Sequence, residues 1–329
     1  MNVKWRPSIG TRRVLLLVFA VGVAWTAPPS ASTPAPQKGG NKTVFAAAMD
    51  AENHPVTGMT KNEWGVREDG VDRTIVDIKP ATQPLDIVLM VDTTKSIYPS
   101  ITELRSALKT FGHTVLAGNP GANIAVMNVA AAATIIADNR KSPDDLDKAL
   151  SRTFADQTQS TVFLEGMSEA AKKLMKSPSP RRAIVIVNLE GIPEGSTLQP
   201  PQVIQQIVQS GASMWAVSYS NDASRLLVIK EGGGAGAVNT EARQGGIGSG
   251  NTGQNRDLLL KNVPQGTGGF RVVIEVPTAL EQTLNKLAAG LLAQYEVTYT
   301  RPEGPTPKLL QMGQVRDGVR ISYPATPPK

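Results

Sequence analysis

The chain has 329 residues, 40% of them hydrophobic and 19% charged, which suits a folded protein with one large core or two modest ones. It contains no cysteine, and this excludes disulfides, thiolate zinc sites, a cysteine nucleophile and a lipid-modified N-terminal cysteine. The formal net charge is +6, but residues 1–32 hold four basic residues and no acidic ones, so the remaining +2 is too small to indicate nucleic-acid binding.

The N-terminal segment combines a basic flank with a short apolar run. Its basic residues are Lys4, Arg6, Arg12 and Arg13. The apolar run covers residues 14–25, and it is shorter than the roughly 20 residues that a membrane-spanning helix needs. With the small residues at 30–32, this pattern predicts a secretory signal peptide over residues 1–32, and therefore export to the periplasm, the cell envelope or the medium. Because the cleavage site is poor, an uncleaved anchor is the alternative, and membrane contact is expected only in that case.

Two stretches with strand patterns flank the centre of the chain. After a flexible linker over residues 33–42, residues 43–82 contain apolar or alternating segments at 44–49, 64–67 and 74–78. Residues 294–329 contain similar segments at 295–300, 315–316 and 319–323. The first stretch is too short to fold alone, so we expect the two to pair into one small β module beside the main domain.

Residues 85–293 alternate buried strands with amphipathic helices. The predicted strands cover residues 86–91, 124–129, 134–137, 183–187, 214–219 and 270–276. The predicted helices begin at Ile97, Pro143, Val162, Pro201 and Leu280. Continuous apolar strands of this kind are typical of a parallel sheet that is covered on both faces. The alternation predicts an α/β fold with a doubly wound, mostly parallel, Rossmann-like sheet.

A glycine-rich tract interrupts this alternation. Residues 232–253 include nine glycines, and we predict a mobile surface loop over residues 232–255. Within it, residues 248–253 match the dinucleotide-binding pattern G-x-G-x-x-G. That pattern is meaningful only between a strand and a helix that follows directly. Neither is predicted here, so we interpret the match as a chance one.

Oxygen-bearing side chains follow the first buried strand of the α/β domain. Asp92, Thr94 and Ser96 stand at alternate residues between that strand and the next helix, so an extended turn would aim them to the same side. In open parallel α/β sheets, ligands bind just beyond the carboxyl ends of the strands. Carboxylate and hydroxyl oxygens suit Mg²⁺, Mn²⁺ or Ca²⁺, although the same residue types also serve as helix caps.

This run resembles the metal-ion-dependent adhesion site (MIDAS), Asp-x-Ser-x-Ser, of von Willebrand factor A (VWFA) domains, with Thr94 in place of the first serine. The resemblance implies a third hydroxyl, from Thr161. It also implies an aspartate after the strand at residues 183–187, but Leu189 stands at that place, or Glu190 if one residue is inserted. The cofactor that it implies is Mg²⁺ or another divalent cation. The implied metal ligands are Asp92, Thr94, Ser96, Thr161 and Glu190.

The resemblance also implies a partner. In VWFA domains a protein ligand completes the coordination of the metal with an acidic side chain, so we expect a protein-binding or adhesion function. Lys95, within the motif, is compatible with a dication only if its ammonium points outward. The alternative is a structural or assembly scaffold that keeps the VWFA fold with an inert metal site.

Three further motifs resemble an exported bacterial VWFA-related family over nearly the whole chain after its N-terminal segment. They are Glu68, Asp69 and Gly70 after Trp64; Thr267, Gly268 and Gly269; and the six residues 294–299. This resemblance implies a short β segment before the VWFA domain and a strand-rich tail after it. It implies no particular activity.

Catalytic patterns are absent from the sequence. The chain has two histidines, His54 and His113, and lacks the G-x-S-x-G, H-E-x-x-H and G-x-x-x-x-G-K-[ST] motifs. Without a paired base and nucleophile, a secreted hydrolase is the least favoured class. We expect a binding protein and not an enzyme.

Overall fold

The computed structural model of the protein describes residues 39–190, 192–219 and 252–328. The predicted signal peptide, most of the predicted linker and most of the glycine-rich tract lie outside those ranges. Of the helices within them, none is both long and apolar enough to cross a bilayer.

The chain runs from a strand-rich segment through an α/β domain to a second strand-rich segment. The N-terminal strands are β1 (Gly40–Met49), β2 (Trp64–Glu68), β3 (Val71–Arg73) and β4 (Ile75–Pro80). The strands of the α/β domain are β5 (Leu85–Asp92), β6 (Asn123–Val129), β7 (Ala133–Arg140), β8 (Arg181–Leu189), β9 (Ser213–Tyr219) and β10 (Arg271–Ile274). Its helices are α1 (Ile101–Gly118), α2 (Pro143–Leu150), α3 (Phe163–Met175), α4 (Pro200–Ser210), α5 (Thr252–Gly266) and α6 (Ala279–Leu292). The C-terminal strands are β11 (Tyr295–Arg301), β12 (Leu310–Gln314) and β13 (Arg320–Ser322).

Six strands form the central sheet, in the order β10-β9-β8-β5-β6-β7. Neighbouring strands are parallel, except that β7 is antiparallel to β6 at one edge. Strand β5 lies in the middle and is apolar on both sides: Ile87 and Leu89 enter one core, and Val88 and Met90 enter the other. The doubly wound, mostly parallel sheet that the sequence predicts is confirmed.

Helices cover both faces of this sheet. Apolar side chains of α1, α2 and α6 fill one core, and those of α3, α4 and α5 fill the other. The chain therefore leaves β5 towards one face and leaves its neighbour β8 towards the opposite face. A crevice opens between the carboxyl ends of two strands whose connections diverge in this way, and open α/β sheets bind their ligands there.

The strands at the two ends of the chain form two small antiparallel sheets, β13-β1-β11-β4 and β12-β2-β3. Strand β11 lies between β1 and β4, and β12 pairs with β2, so each sheet contains strands from both ends. The sheets share an apolar core, in which the rings of Trp64 and Tyr295 meet edge to face with 5.3 Å between their centroids. The predicted pairing of the two β segments is confirmed.

Backbone conformation explains two of the short motifs. Asp69 and Gly70 have φ angles of 49° and 82°, and the two-residue turn between β2 and β3 requires positive φ at both positions. A Cβ atom on Gly269 would lie 1.9 Å from the carbonyl oxygen of Met214, so glycine is needed where the chain passes β9. The hydroxyl of Thr267 accepts a hydrogen bond from the Met214 amide at 3.0 Å. The Gly269 carbonyl oxygen also accepts a hydrogen bond from the Ser322 hydroxyl of β13 at 2.7 Å, so the second motif joins the β module to the central sheet.

A buried ion pair joins β2 to β11. The fully buried carboxylate of Glu68 accepts hydrogen bonds from Arg301 Nε at 3.0 and 3.1 Å, from the Tyr299 hydroxyl at 2.6 Å and from Arg73 Nε at 3.0 Å. Burial raises the pKa of Glu68, but the bonds from Arg301, Tyr299 and Arg73 outweigh this effect, so the pKa is lowered overall. The carboxylate is thus ionised at neutral pH, and it links strands from opposite ends of the chain.

Arg181 connects the β module to the α/β domain. It lies at the start of β8 and is 2% exposed. The carbonyl oxygens that accept hydrogen bonds from its guanidinium are those of Ala81, Gln83 and Leu291, at 3.0, 3.0 and 2.6 Å. Burial lowers the pKa of Arg181 to about 10, so the side chain is still charged at neutral pH. The Arg181 side chain thereby holds the segment before β5 and the end of α6, where the chain enters and leaves the α/β domain.

Two strand predictions were wrong in their bounds. Strand β1 begins at Gly40, inside the predicted linker, because residues 40–42 pair with β11. The strand predicted at residues 315–316 is not formed; β12 ends at Gln314, and the Val315 amide binds the Glu63 carbonyl oxygen instead. In both cases a partner distant in the sequence decides the outcome, and local composition does not reveal it.

The prediction that no helix follows the G-x-G-x-x-G match was also wrong. Helix α5 begins at Thr252, so residues 252–255 do not belong to the predicted loop. The helix forms because Leu259, Leu260 and Val263 are buried against the core under α3 and α4. Residues 248–251 lie outside the described part of the chain, as does the stretch before them.

Replacing Glu68 by Gln should lower the free energy of unfolding by about 3–5 kcal/mol, because it leaves the Arg301 charge buried without its counter-ion. Chemical denaturation followed by circular dichroism measures this loss. Glu63→Gln is the matched control, since it breaks the more exposed pair with Arg316, and it should cost less than about 1 kcal/mol. Similar losses for the two variants would contradict the structural role of the buried pair.

Candidate functional site

The carboxylate of Asp92 ends the central strand β5 and is 2% exposed. Its Oδ1 accepts hydrogen bonds from the amide and the hydroxyl of Thr94 at 2.9 and 2.8 Å. Its Oδ2 accepts one from the amide of Leu189, on the neighbouring strand β8, at 3.3 Å. Burial raises the pKa of Asp92, although the positive charge of Arg256 and the bonds from Thr94 act in the opposite direction.

The turn after β5 leads into a single 3-10 segment, Lys95–Ser100. The predicted site residues differ in burial here: Thr94 is fully buried, while Ser96 is half-buried. Lys95 is exposed, so its ammonium does not enter the space around Asp92. The lysine within the motif is therefore compatible with a site at this position.

The loop that carries Thr161 packs along the same turn. The amide of Asp156 donates a hydrogen bond to the Thr93 carbonyl oxygen at 2.6 Å. The amide of Lys95 donates one to the Thr158 carbonyl oxygen at 2.9 Å. Thr161 is fully buried, and its amide donates to the Pro193 carbonyl oxygen at 2.9 Å. Within the described part of the chain, the Thr161 hydroxyl has no hydrogen-bond partner. The structure thus brings the loops of Thr94 and Thr161 together and leaves one buried hydroxyl unsatisfied.

Glu194 is a second buried carboxylate at this edge, and the sequence analysis did not find it. It is 4% exposed, and its Oε1 accepts hydrogen bonds from the Phe163 amide at 2.7 Å and from the Ser196 hydroxyl. Phe163 begins α3, so this carboxylate caps the positive end of that helix. Burial raises the pKa of Glu194, and Ser196, Arg256 and the helix amides oppose that rise.

Arg256, on α5, is a buried cation that faces Glu194. It is 1% exposed, and one terminal nitrogen donates to the Ile192 carbonyl oxygen at 2.8 Å. The other lies 3.8 Å from Oε2 of Glu194, and the guanidinium carbon lies 5.9 Å from the ring centre of Phe163. Nε and the terminal nitrogen that faces Glu194 have no hydrogen-bond partner among the described residues.

Glu190, the candidate for the missing aspartate, is held by a different group. Its carboxylate is ion-paired with Arg271, whose Nε also donates to the Ser218 hydroxyl at 2.7 Å. Leu189, the other candidate position, contributes only its backbone amide to Asp92. Neither alternative provides a second carboxylate that is bonded to the Asp92 turn.

Two large aromatic side chains are exposed beside this turn. Tyr98 is 70% exposed and Phe154 is 64% exposed. The guanidinium of Arg105, on the first turns of α1, lies 4.6 Å from the ring centre of Phe154. We refer to Lys95, Ser96, Tyr98 and Phe154 together as the carboxyl-edge surface.

The two histidines lie away from this edge. His54 is beside Asp50 in the turn after β1, and His113 on α1 is 2.9 Å from Asp147 on α2. Both are exposed at their side chains. Neither contacts a serine at the end of a strand, so neither is placed as the base of a serine nucleophile.

The sequence contained only a weak signal for the two charged groups that it missed. Glu194 lies in an irregular loop, where no periodicity marks a buried position. Arg256 follows the glycine-rich tract, whose composition indicated a loop. The apolar residues at 258–260 and Val263 have helical spacing, and this pattern could have revealed α5.

Comparison with known protein families gives a match over part of the chain. The profile of the von Willebrand factor type A domain matches residues 86–244. No curated protein sequence matches the chain.

Solved structures match the chain at low identity and with TM-scores below 0.5. Proximal thread matrix protein 1 from the mussel byssus is 13% identical, with 69% of this chain and 49% of that chain covered and a TM-score of 0.44. A von Willebrand factor type A protein from Catenulispora acidiphila is 12% identical, with 87% and 74% covered and a TM-score of 0.43. The conserved hypothetical protein BatB from Bacteroides thetaiotaomicron is 12% identical, with 62% and 97% covered and a TM-score of 0.41. This chain spans about half the length of the mussel protein.

Replacing Thr161 by Val should leave the free energy of unfolding unchanged or raise it by up to about 1 kcal/mol, because it removes a buried hydroxyl that has no partner. Thr94→Val is the matched control. It removes a hydrogen bond to the buried Asp92 carboxylate and should cost about 1–3 kcal/mol. Chemical denaturation of the two variants measures the difference, and a loss for Thr161→Val as large as for Thr94→Val would contradict the unsatisfied state of its hydroxyl.

Proposed function

The chain contains a von Willebrand factor type A domain over residues 86–244, and from this premise we propose that it is a binding protein whose partner is another protein. Domains of this family commonly mediate protein–protein interaction or adhesion, and most are not enzymes. The carboxyl edge of the central sheet is the proposed binding region, because the connections of β5 and β8 diverge there.

The exposed aromatics are the observation that carries this proposal. Tyr98 and Phe154 leave most of their rings in water although each flanks the turn after β5. Aromatic side chains are enriched at the centres of protein interfaces, where they bury a large area at a small cost in side-chain entropy. Their exposure on the carboxyl-edge surface is therefore explained if a partner covers them.

The charge beside these aromatics favours an acidic partner. Lys95 is exposed between Thr94 and Ser96, and Arg105 is half-buried behind Phe154. A partner with a carboxylate next to an apolar side chain would pair with Lys95 while it covers Tyr98 or Phe154. The partner is thus acidic, as expected from the sequence, but its carboxylate is recognised by the Lys95 side chain and not by a metal ion.

A metal-dependent form of the proposal would use Mg²⁺ bound by Asp92, Thr94, Ser96 and Thr161. The unsatisfied Thr161 hydroxyl favours a cation here. Against it, the carboxylate of Glu190 is paired with Arg271 and so does not supply a second anionic ligand. Arg256 also brings a buried positive charge to the same place. This set of charges does not fit a dication, so we propose that binding does not depend on one.

A structural or assembly scaffold is the second candidate function. Asp92, Thr94 and Thr161 are almost fully buried, as expected of side chains that only stabilise the turn after β5. A scaffold of this kind would not need the carboxyl-edge surface for its partners. The two candidates therefore differ in what the exposed aromatics do.

Substitution of the aromatics separates the two candidates. We expect the Tyr98→Ala/Phe154→Ala variant to lose at least about tenfold in partner affinity, since two buried aromatic anchors together contribute more than about 1.4 kcal/mol. The measurement is quantitative cross-linking capture from an envelope extract, followed by titration of the captured protein against both forms. Met175→Ala is the matched control, because Met175 is an exposed apolar residue at the opposite end of α3. A partner that binds the double variant and the wild type equally would favour the scaffold.

We also propose that the protein acts outside the cytoplasm. The support is the basic flank and short apolar run before residue 26. The chain isolated from the envelope or periplasmic fraction of the producing cells should then lack residues 1–32, and N-terminal sequencing measures this. Recovery of the full-length chain from the membrane fraction would instead indicate the uncleaved anchor, and recovery from the cytoplasm would contradict export.

A further inference from the structure

Arg256 occupies an unusual environment for a charged side chain. It is 1% exposed, and the only hydrogen bond of its guanidinium within the described part of the chain goes to the Ile192 carbonyl oxygen. Burial of an arginine in this way is costly unless the charge is compensated nearby. The groups around Arg256 therefore have to supply negative charge.

Two buried carboxylates meet this requirement. Glu194 faces Arg256 at 3.8 Å. Asp92 is bonded to the Leu189 amide at the end of β8, and Arg256 is bonded to Ile192, three residues further along the same loop. Burial raises the pKa of both carboxylates, and the positive charge of Arg256 opposes that rise in each case. Asp92, Glu194 and Arg256 are thus one buried charge cluster contributed by β5, the loop after β8, and α5.

We infer that the Arg256 guanidinium is the built-in cation of this site and takes the electrostatic role that a bound divalent ion would otherwise have. A guanidinium is always charged at physiological pH and is fixed by its chain, so it compensates the Asp92 charge without an external ligand. It also repels a second cation, because two positive charges in a buried space interact strongly. The negative charge at this site is consequently balanced without a metal ion.

Binding of the partner, which rests on the proposed function, should not depend on a metal ion. If Arg256 is the resident cation, the partner does not contact a metal, and chelators do not release it. Metal independence and partner binding can be tested separately, because the first is measured on the isolated chain. Failure of the proposed partner surface would leave the result for Arg256 unaffected.

The first experiment measures thermal unfolding of the full chain in EDTA and in millimolar MgCl₂ or MnCl₂. We expect the same Tm in all three conditions, for the wild type and for Asp92→Asn. A rise of Tm with Mn²⁺ or Mg²⁺ in the wild type that is lost in Asp92→Asn would overturn the inference, because a ligand that binds only the folded state at this site must stabilise it.

The second experiment is a double-mutant cycle between Asp92→Asn and Arg256→Met. We expect each single variant to lower Tm and the double variant to lose clearly less than the sum, because removing both charges leaves neither uncompensated. The matched control cycle combines Asp92→Asn with Arg271→Met, whose partner is Glu190, and it should be additive. Additivity in both cycles would overturn the inference.

Loss of folding in Arg256→Met does not prevent a decision. If the single variant is unfolded and the double variant folds, the rescue supports the charge cluster. If neither folds, the cycle is repeated with Arg256→Lys, which keeps the charge: the lysine variant should fold, and adding Asp92→Asn to it should lower Tm further. A lysine variant that is as unfolded as Arg256→Met would overturn a role based on charge.

Discussion

A carboxylate buried at the end of the central strand is the constraint on which the rest of the site depends. Asp92 is out of contact with water, and an uncompensated charge in such a place costs several kcal/mol. The fold meets this constraint with the Leu189 amide from the neighbouring strand and with the charge of Arg256 from α5. Arg256 also donates a hydrogen bond to the loop after β8 and faces Glu194, which caps α3. The same group of buried charges therefore holds α5, the loop after β8 and α3 around the crevice.

The same requirement recurs at the other end of the molecule. In the β module the buried carboxylate of Glu68 is compensated by Arg301, which lies more than two hundred residues later in the sequence. Arg181 bonds to the backbone at both boundaries of the α/β domain. Buried charged groups thus join the N-terminal and C-terminal segments of the chain. The exposed aromatic side chains lie at the carboxyl edge of the central sheet. In this arrangement the β module supports the domain, and the opposite edge is available for a partner.

The sequence predicted those features that depend on periodicity. Apolar runs and helical spacing identified the strands and most helices of the α/β domain, and the position of Asp92 and Thr94 after a buried strand predicted the candidate site. Features that depend on contacts between distant residues were not predictable. Glu194 and Arg256 have no local pattern, and they acquire their roles only when α5 and the loop after β8 pack together. The glycine-rich composition before Thr252 concealed α5 itself, since the burial of its apolar face is a tertiary effect.

The guanidinium of Arg256 is therefore the internal cation that stabilises the site. A crystal structure of the chain soaked in millimolar MnCl₂, with anomalous scattering recorded at the manganese edge, tests this claim most directly. We expect no manganese peak within coordination distance of Asp92, and an Arg256 guanidinium that still faces Glu194. A manganese ion bonded to Asp92 and to the Thr161 hydroxyl, with Arg256 displaced, would contradict it.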